Sequence, residues 1–273
     1  MTNSQSMHIA NINDTQIAYS DTGTSTGPVL VLIHGFCGSS DYWKHIIPTL
    51  DNFCRVIAPD LRGHGQTPAG SQTSTMEILA DDIAALLAHL HIEQASVFGH
   101  SLGGYVTLAL VERHPDLVKK FSLIHSTALA DSEEAKVKRA QGMESIRSKG
   151  IQSFVDGLIP KLFAEDHLST MSEEVQATIE LGYATSPVGA MHSLEGMRIR
   201  PERNQVLREQ TVPILLVAGS EDQVIPADRV FSVTGTHIQT VTINGVGHMS
   251  MLEAPEQLIS VMTSFILEDR QVD

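Results

Sequence analysis

Residues 95–113 constrain the fold of this chain more than any other stretch. Ala95-Ser96-Val97-Phe98 reads as a short strand, Gly99-His100-Ser101-Leu102-Gly103 as a sharp turn, and Gly104 to Arg113 as a mostly apolar helix stopping at His114-Pro115. A strand that turns directly into a helix holds the middle residue in strained backbone. The residues two before and two after it must then be small. Glycine stands at both places, 99 and 103. The plainer reading is a glycine-rich turn whose serine only caps the helix.

The rest of the chain repeats this alternation. His8 to Ile12 and Gln16 to Tyr19 look like an antiparallel pair joined through Asn13-Asp14. Pro28 to Ile33 and Arg55 to Pro59 are continuous apolar runs, as strands buried on both faces should be. Phe121 to Ile124, Ile214 to Ala218 and Thr240 to Ile243 are further buried-strand candidates. Met76, Leu79, Ile83, Leu86, Leu87 and Leu90 recur at helical spacing. The pattern predicts an α/β fold, an open and mostly parallel eight-stranded sheet with helices on both faces.

Between about Ser126 and Gly196 no strand is readable. The helix-like pieces there are Glu133 to Lys149, Phe154 to Phe163 and Glu173 to Tyr183, with Pro160 and Pro187 as punctuation. Ser132 and Ser172, each followed by two glutamates, read as N-caps. A helical lid over residues 127–196 is expected, inserted into a core made of 1–126 and 197–273.

Composition removes several function classes. With 42% apolar and 18% charged residues the chain has an ample core. A net charge of −14 argues against nucleic acid and against an anionic membrane surface as partners. No stretch approaches the length of a membrane span. Met1 to Ser6 is polar with no apolar run after it, so no secretory signal is expected and a cytoplasmic location follows by default. Cys37 and Cys54 are then expected as reduced thiols, Cys37 as a small loop residue.

Serine chemistry needs a base, a group that orients the base, and donors for a developing oxyanion. Asp222 follows the Ile214–Ala218 run and His248 follows the next, in Gly245-Val246-Gly247-His248. Both lie just past strand carboxyl ends, where open α/β sheets build their sites. The order Ser101, Asp222, His248 is that of α/β-hydrolases. The oxyanion donors should be the backbone N–H groups of Leu102 and of Phe36, in the loop His34-Gly35-Phe36-Cys37-Gly38.

With these residues in place, the chain resembles the α/β-hydrolase superfamily. The resemblance rests on His34-Gly35-Phe36, on Pro59-Asp60-Leu61-Arg62-Gly63-His64-Gly65, on the Ser101 turn, and on the Asp222 and His248 loops. It is similar to the small lidded esterases and their enol-lactonase, carbon–carbon hydrolase and haloperoxidase relatives. Serine at 101 departs from the dehalogenase and epoxide-hydrolase branches, which use aspartate there. The resemblance implies Ser101 as nucleophile, His248 as base and Asp222 as its partner, with no metal or organic cofactor. It also favours Asp222 over its neighbour Glu221. His34 and His100 are expected to shape loops, and Asp60, Arg62 and His64 to form a turn-stabilising network.

The leading expectation is a carboxylic ester hydrolase acting on small to medium acyl chains of uncharged esters. The insert has no lysine or arginine cluster suited to a dianion, although Arg139, Arg147, Arg198 and Arg200 leave room for a carboxylate-bearing lactone or dienoate. The alternatives are an enol-lactone or carbon–carbon bond hydrolase on the same residues, and a ligand-binding or signalling protein that keeps the hydrolase shell. The methionines Met143, Met171, Met191, Met197, Met249 and Met251 suit an adaptable pocket and core filling equally.

Overall fold

A computed structural model of the protein describes residues 7–23 and 27–268. The reading of Met1–Ser6 and the far ends of the expected core therefore lie outside the described residues. Eight strands form one sheet: β1 (Met7–Ile12), β2 (Thr15–Asp21), β3 (Val29–Ile33), β4 (Arg55–Pro59), β5 (Ala95–His100), β6 (Val118–Ile124), β7 (Ile214–Gly219) and β8 (Ile238–Ile243). Their spatial order is β1-β2-β4-β3-β5-β6-β7-β8. The β1–β2 and β2–β4 pairs are antiparallel and the remaining pairs parallel. The chain goes from β3 to β4 on one side of the sheet and then crosses to β5 on the other. This reversal opens a crevice at the carboxyl ends of β3 and β5, where such sheets bind ligands.

The runs read as buried on both faces are so. Leu30 to Ile33, Val56 to Ala58 and Ile214 to Ala218 have no exposure. β8 differs: as the last strand at one edge it is only partly covered, with Ile243 its one buried residue. The helix Met76–His89 buries Met76, Leu79, Ile83, Leu86 and Leu87 along one face, and the Thr75 hydroxyl accepts from the Ile78 N–H.

From Ile124 to Ile214 the described chain holds helices and no strand. A helical run spans Glu133–Leu158, broken at Gly150. Ser132 caps it as expected, accepting from the Ala135 N–H at 3.2 Å. Ser172 does not cap; it is the first residue of its own helix, Ser172–Tyr183, because the short helix His167–Thr170 runs almost directly into it. A further helix, Pro187–Ile199, was not legible as one, and it carries the chain across the expected boundary at 196. Among the described residues no helix is long and apolar enough to cross a membrane. Cys37 and Cys54 are buried free thiols, and burial raises the Cys37 pKa far above its ordinary value.

Candidate active site

Parallel strands point their carboxyl ends to one rim, and five of them deliver residues there. β3 leads to the loop of Phe36, β5 to Ser101, β6 to His125, β7 to Asp222 and β8 to His248. Ser101 lies between β5 and the helix Leu102–Arg113 at φ 50°, ψ −111°. A non-glycine residue there stores on the order of 1–3 kcal/mol of strain. Its surroundings enforce it. A side chain at Gly99 would strike the Gly103 carbonyl at 2.2 Å, and one at Gly103 would strike the Ile33 carbonyl at 2.3 Å. The end of β6 fixes the backbone further, since Ser101 N–H donates to Ile124 O (3.0 Å) and the Ser126 hydroxyl donates to Ser101 O (2.7 Å).

Asp222 is buried and fully used. Its Oδ1 accepts from the Val224 and Ile225 N–H groups at 2.8 and 3.0 Å. Its Oδ2 accepts from His248 Nδ1 at 2.7 Å and from His125 Nδ1 at 3.1 Å. Burial alone would raise its pKa; the charge of His248 and the two imidazole hydrogen bonds overcome that and hold it far below the carboxylate range. Because Nδ1 of His248 faces Asp222, its Nε2 is left for the cavity. Ser101 and His248 line that same cavity, of about 160 Å³. Among the described residues no hydrogen bond joins the two, so their pairing is one of shared lining. Phe36 lines it as well. Neither the Phe36 nor the Leu102 N–H donates to another group among the described residues, so both are free to donate.

His125 is the residue that sequence reasoning missed. It has φ 48°, is fully buried, and its Nε2 lies 2.8 Å from the Ser250 hydroxyl. Burial lowers its pKa, keeping the ring neutral, so Nε2 accepts from Ser250. The signal was available: it follows a buried strand's carboxyl end, just as Asp222 and His248 do. His125, Asp222 and His248 also bring three metal-ligating atoms within 4.8 Å of one another. An ion there would have to displace both N–H donors from Asp222.

Two of the remaining expectations concern loops, and the contacts are structural. His34 Nδ1 donates to Gly35 O (2.7 Å) and its Nε2 accepts from Leu61 N–H (2.9 Å), tying the Phe36 loop to the 60–67 loop. His100 Nε2 donates to His248 O at 2.9 Å. Asp60 accepts from the Ser40 and Gln66 N–H groups, and Arg62 bridges Asp82 (2.8 Å) and Asp14 (2.6 Å).

Glu253 fastens the helical segment to the His248 loop. Its buried carboxylate accepts from Ala164 N–H (2.8 Å) and His167 Nδ1 (2.7 Å) on one side. On the other it accepts from Gly247 and Met249 N–H (3.1 and 3.0 Å). His248 N–H itself donates to Leu162 O at 2.6 Å.

The buried histidines set the acid response of the fold. Desolvation lowers His34 to about 4 and His64 to about 3, and lowers His100 well below its ordinary value. An unfolded histidine titrates near 6.5. Between about pH 4 and 6.5 the unfolded chain therefore binds more protons, and stability rises with pH. Unfolding at pH 5 should take up about three protons from these rings alone. The urea midpoint should fall steeply from pH 7 to 4.5, and His64→Gln should lower the measured proton uptake by about one. A midpoint flat across that range would contradict the buried neutral rings.

Comparison with known proteins agrees with the fold. Residues 28–255 match the alpha/beta hydrolase fold family. The chain is 30% identical over 264 residues to the dihydrolipoyllysine-residue acetyltransferase component of the acetoin cleaving system of Pseudomonas putida, covering 94% of this chain and 68% of that protein. It is 27% identical over 279 residues to the pyrrolizixenacetamide deacetylase of Xenorhabdus hominickii, covering 96% and 99% respectively. A solved thermophilic esterase from Thermogutta terrifontis is similar with a TM-score of 0.90 at 28% identity, covering 96% of this chain and 98% of that one.

Proposed function

This chain belongs to the alpha/beta hydrolase fold family, and from that premise we propose that it hydrolyses carboxylic esters of small to medium acyl chains through Ser101, His248 and Asp222. The observation that carries this is the 2.7 Å bond from His248 Nδ1 to the ionised Asp222, with the other face of the ring in the cavity that Ser101 lines. Residues 127–196 are proposed as a lid over a core of 1–126 and 197–273. The cavity is small beside the roughly 300–1,000 Å³ common for ligand sites, which favours the shorter acyl groups.

In this reading His248 Nε2 takes the Ser101 proton as Oγ adds to the ester carbonyl. The carbonyl oxygen becomes an oxyanion held by the Phe36 and Leu102 N–H groups, each worth on the order of 10²–10³ in rate. His248 returns the proton to the departing alkoxide, leaving an acyl-Ser101 ester. Water then repeats the sequence and releases the acid. Asp222 keeps Nδ1 protonated throughout and stabilises the imidazolium.

A fluorophosphonate followed by peptide mass mapping should label Ser101, and the same sample should turn over p-nitrophenyl esters in a length series. An unlabelled Ser101 with no turnover of any ester would overturn the proposal. Turnover confined to enol-lactones or dienoates would move the assignment to the enol-lactone or carbon–carbon hydrolase reading. Labelling that captures a ligand once, without multiple turnover, would favour a binding or signalling protein.

A further inference from the structure

The cavity beside Ser101 carries an excess of positive charge in a strongly acidic chain. Arg139, Arg200 and Arg229 line it, with Asp131 as their only carboxylate partner on the lining. Arg139 and Arg200 come from the helical interval between β6 and β7. Arg229 lies outside it, seven residues past Asp222 on the short helix Ala227–Val230, which is why the sequence showed no cluster. The chain as a whole has 18 Lys and Arg against 32 Asp and Glu. Collecting three guanidinium groups around one small cavity runs against that bulk composition.

The three arginines are not equally committed. Arg200 is buried and committed by three hydrogen bonds: Nη1 donates to Asp131 Oδ1 and to Met197 O, both at 2.7 Å, and Nη2 donates to Leu129 O at 3.1 Å. Its guanidinium also lies 3.8 Å over the Tyr105 ring. Arg139 donates only through Nε, to Asp131 Oδ2 at 3.1 Å, so both its Nη groups remain. The Asp131 charge is thus shared between Arg139 and Arg200, whose charges hold its pKa below the usual range against the burial that would raise it.

Arg229 is held by its backbone alone. Its N–H donates to Pro226 O (2.9 Å) and its carbonyl accepts from the Thr127 hydroxyl (2.6 Å). Among the described residues its half-buried guanidinium has no hydrogen bond or ion pair. Three cations against one anion leave two positive charges unbalanced around about 160 Å³ that also contains the Ser101 hydroxyl.

We propose that Arg229, with the free Nη groups of Arg139, forms a carboxylate subsite, and that the preferred substrate is an ester or lactone carrying a second, free carboxylate. This rests on the ester-hydrolase reading above and names the substrate class within it, in place of the uncharged esters that the sequence favoured. A planar guanidinium matches a carboxylate with two parallel hydrogen bonds, which fixes the orientation of the scissile carbonyl over Ser101. The hydrolysis is otherwise unchanged: water adds across the acyl C–O bond, giving a dicarboxylate and an alcohol from an ester, or a single hydroxy dicarboxylate from a lactone.

The test compares monomethyl glutarate, a monoanion, with methyl valerate, a neutral ester of similar length, by acid release in a pH-stat. The wild type should prefer the monoanion in kcat/KM, through KM, and the preference should shrink with added salt. Arg229→Gln should lower the monoanion-to-neutral ratio about 10- to 100-fold, as expected for loss of hydrogen bonds to a charged group, with Arg229→Lys retaining part of it. Glutarate binding to the Ser101→Ala protein, read by calorimetry, needs no turnover and should be lost in Ser101→Ala/Arg229→Gln. A wild type that prefers methyl valerate, or a ratio unmoved by Arg229→Gln, overturns the subsite while leaving the ester hydrolase standing. Absence of any turnover with glutarate binding intact would sink the hydrolase reading and keep the subsite.

Discussion

Ser101→Ala is expected to lower kcat by at least about 10³-fold and to abolish fluorophosphonate labelling, with the fold unchanged. The hydroxyl is the only atom removed, and it makes no hydrogen bond among the described residues. The backbone that holds position 101 is fixed by Gly99, Gly103, Ile124 and Ser126, none of which touches that hydroxyl through a bond. Residual turnover would come from direct attack of water on the ester, with the Phe36 and Leu102 N–H groups as proposed donors to the oxyanion that forms. A melting temperature near that of the wild type, together with the lost rate, separates chemistry from folding. Wild-type-like hydrolysis from a clean preparation would contradict the assignment of nucleophile.

The second large effect is expected at Asp222. Replacing it with asparagine keeps the shape but changes one carboxylate oxygen into an N–H donor. Oδ1 already accepts from Val224 and Ile225, so the side-chain oxygen is best kept there. The amide nitrogen would then face His248 Nδ1 and His125 Nδ1, two donors that need an acceptor. Relief comes from moving the His248 proton to Nε2, which removes the base from the cavity. A loss of about 10⁴ in kcat follows by analogy with serine triads, with substrate KM little altered. His125 makes this variant more disruptive than in a site with one imidazole on the carboxylate, so stability should also fall measurably in urea. A variant with near-normal kcat would mean that Asp222 does not orient the base.

Much of this was legible in the chain. The central strands announced themselves because burial on both faces leaves no room for polar residues, and all eight were placed. β8 was read as buried although it is an edge strand, since a run such as Thr-Val-Thr-Ile suits either position. The helix Pro187–Ile199 was hidden for a different reason. It buries Ala190, Leu194 and Met197, but Gly189 against Gly63, Gly196 against Ser74 and the buried Ser193 share that face, so the apolar stripe is short and diluted by small residues. Ser101, Asp222 and His248 could be named because each sits in a glycine-marked turn or just past a strand. His125 follows the same rule without the glycines. Arg229 follows no rule at all, since only the folded path of the Asp222 loop turns it toward the cavity.

Glu253 has a consequence for how such a scaffold diversifies. One carboxylate accepts from Ala164, His167 and Gly247 at Oε2 and from Met249 at Oε1, so it ties the helical segment to the backbone on both sides of His248. Grafting a foreign insertion between β6 and β7 would therefore take two of the four donors from that buried carboxylate and untie the insertion from the His248 loop. A successful transplant must bring its own donors for Glu253, so new specificities in this lineage are easier to reach by editing side chains than by exchanging the module.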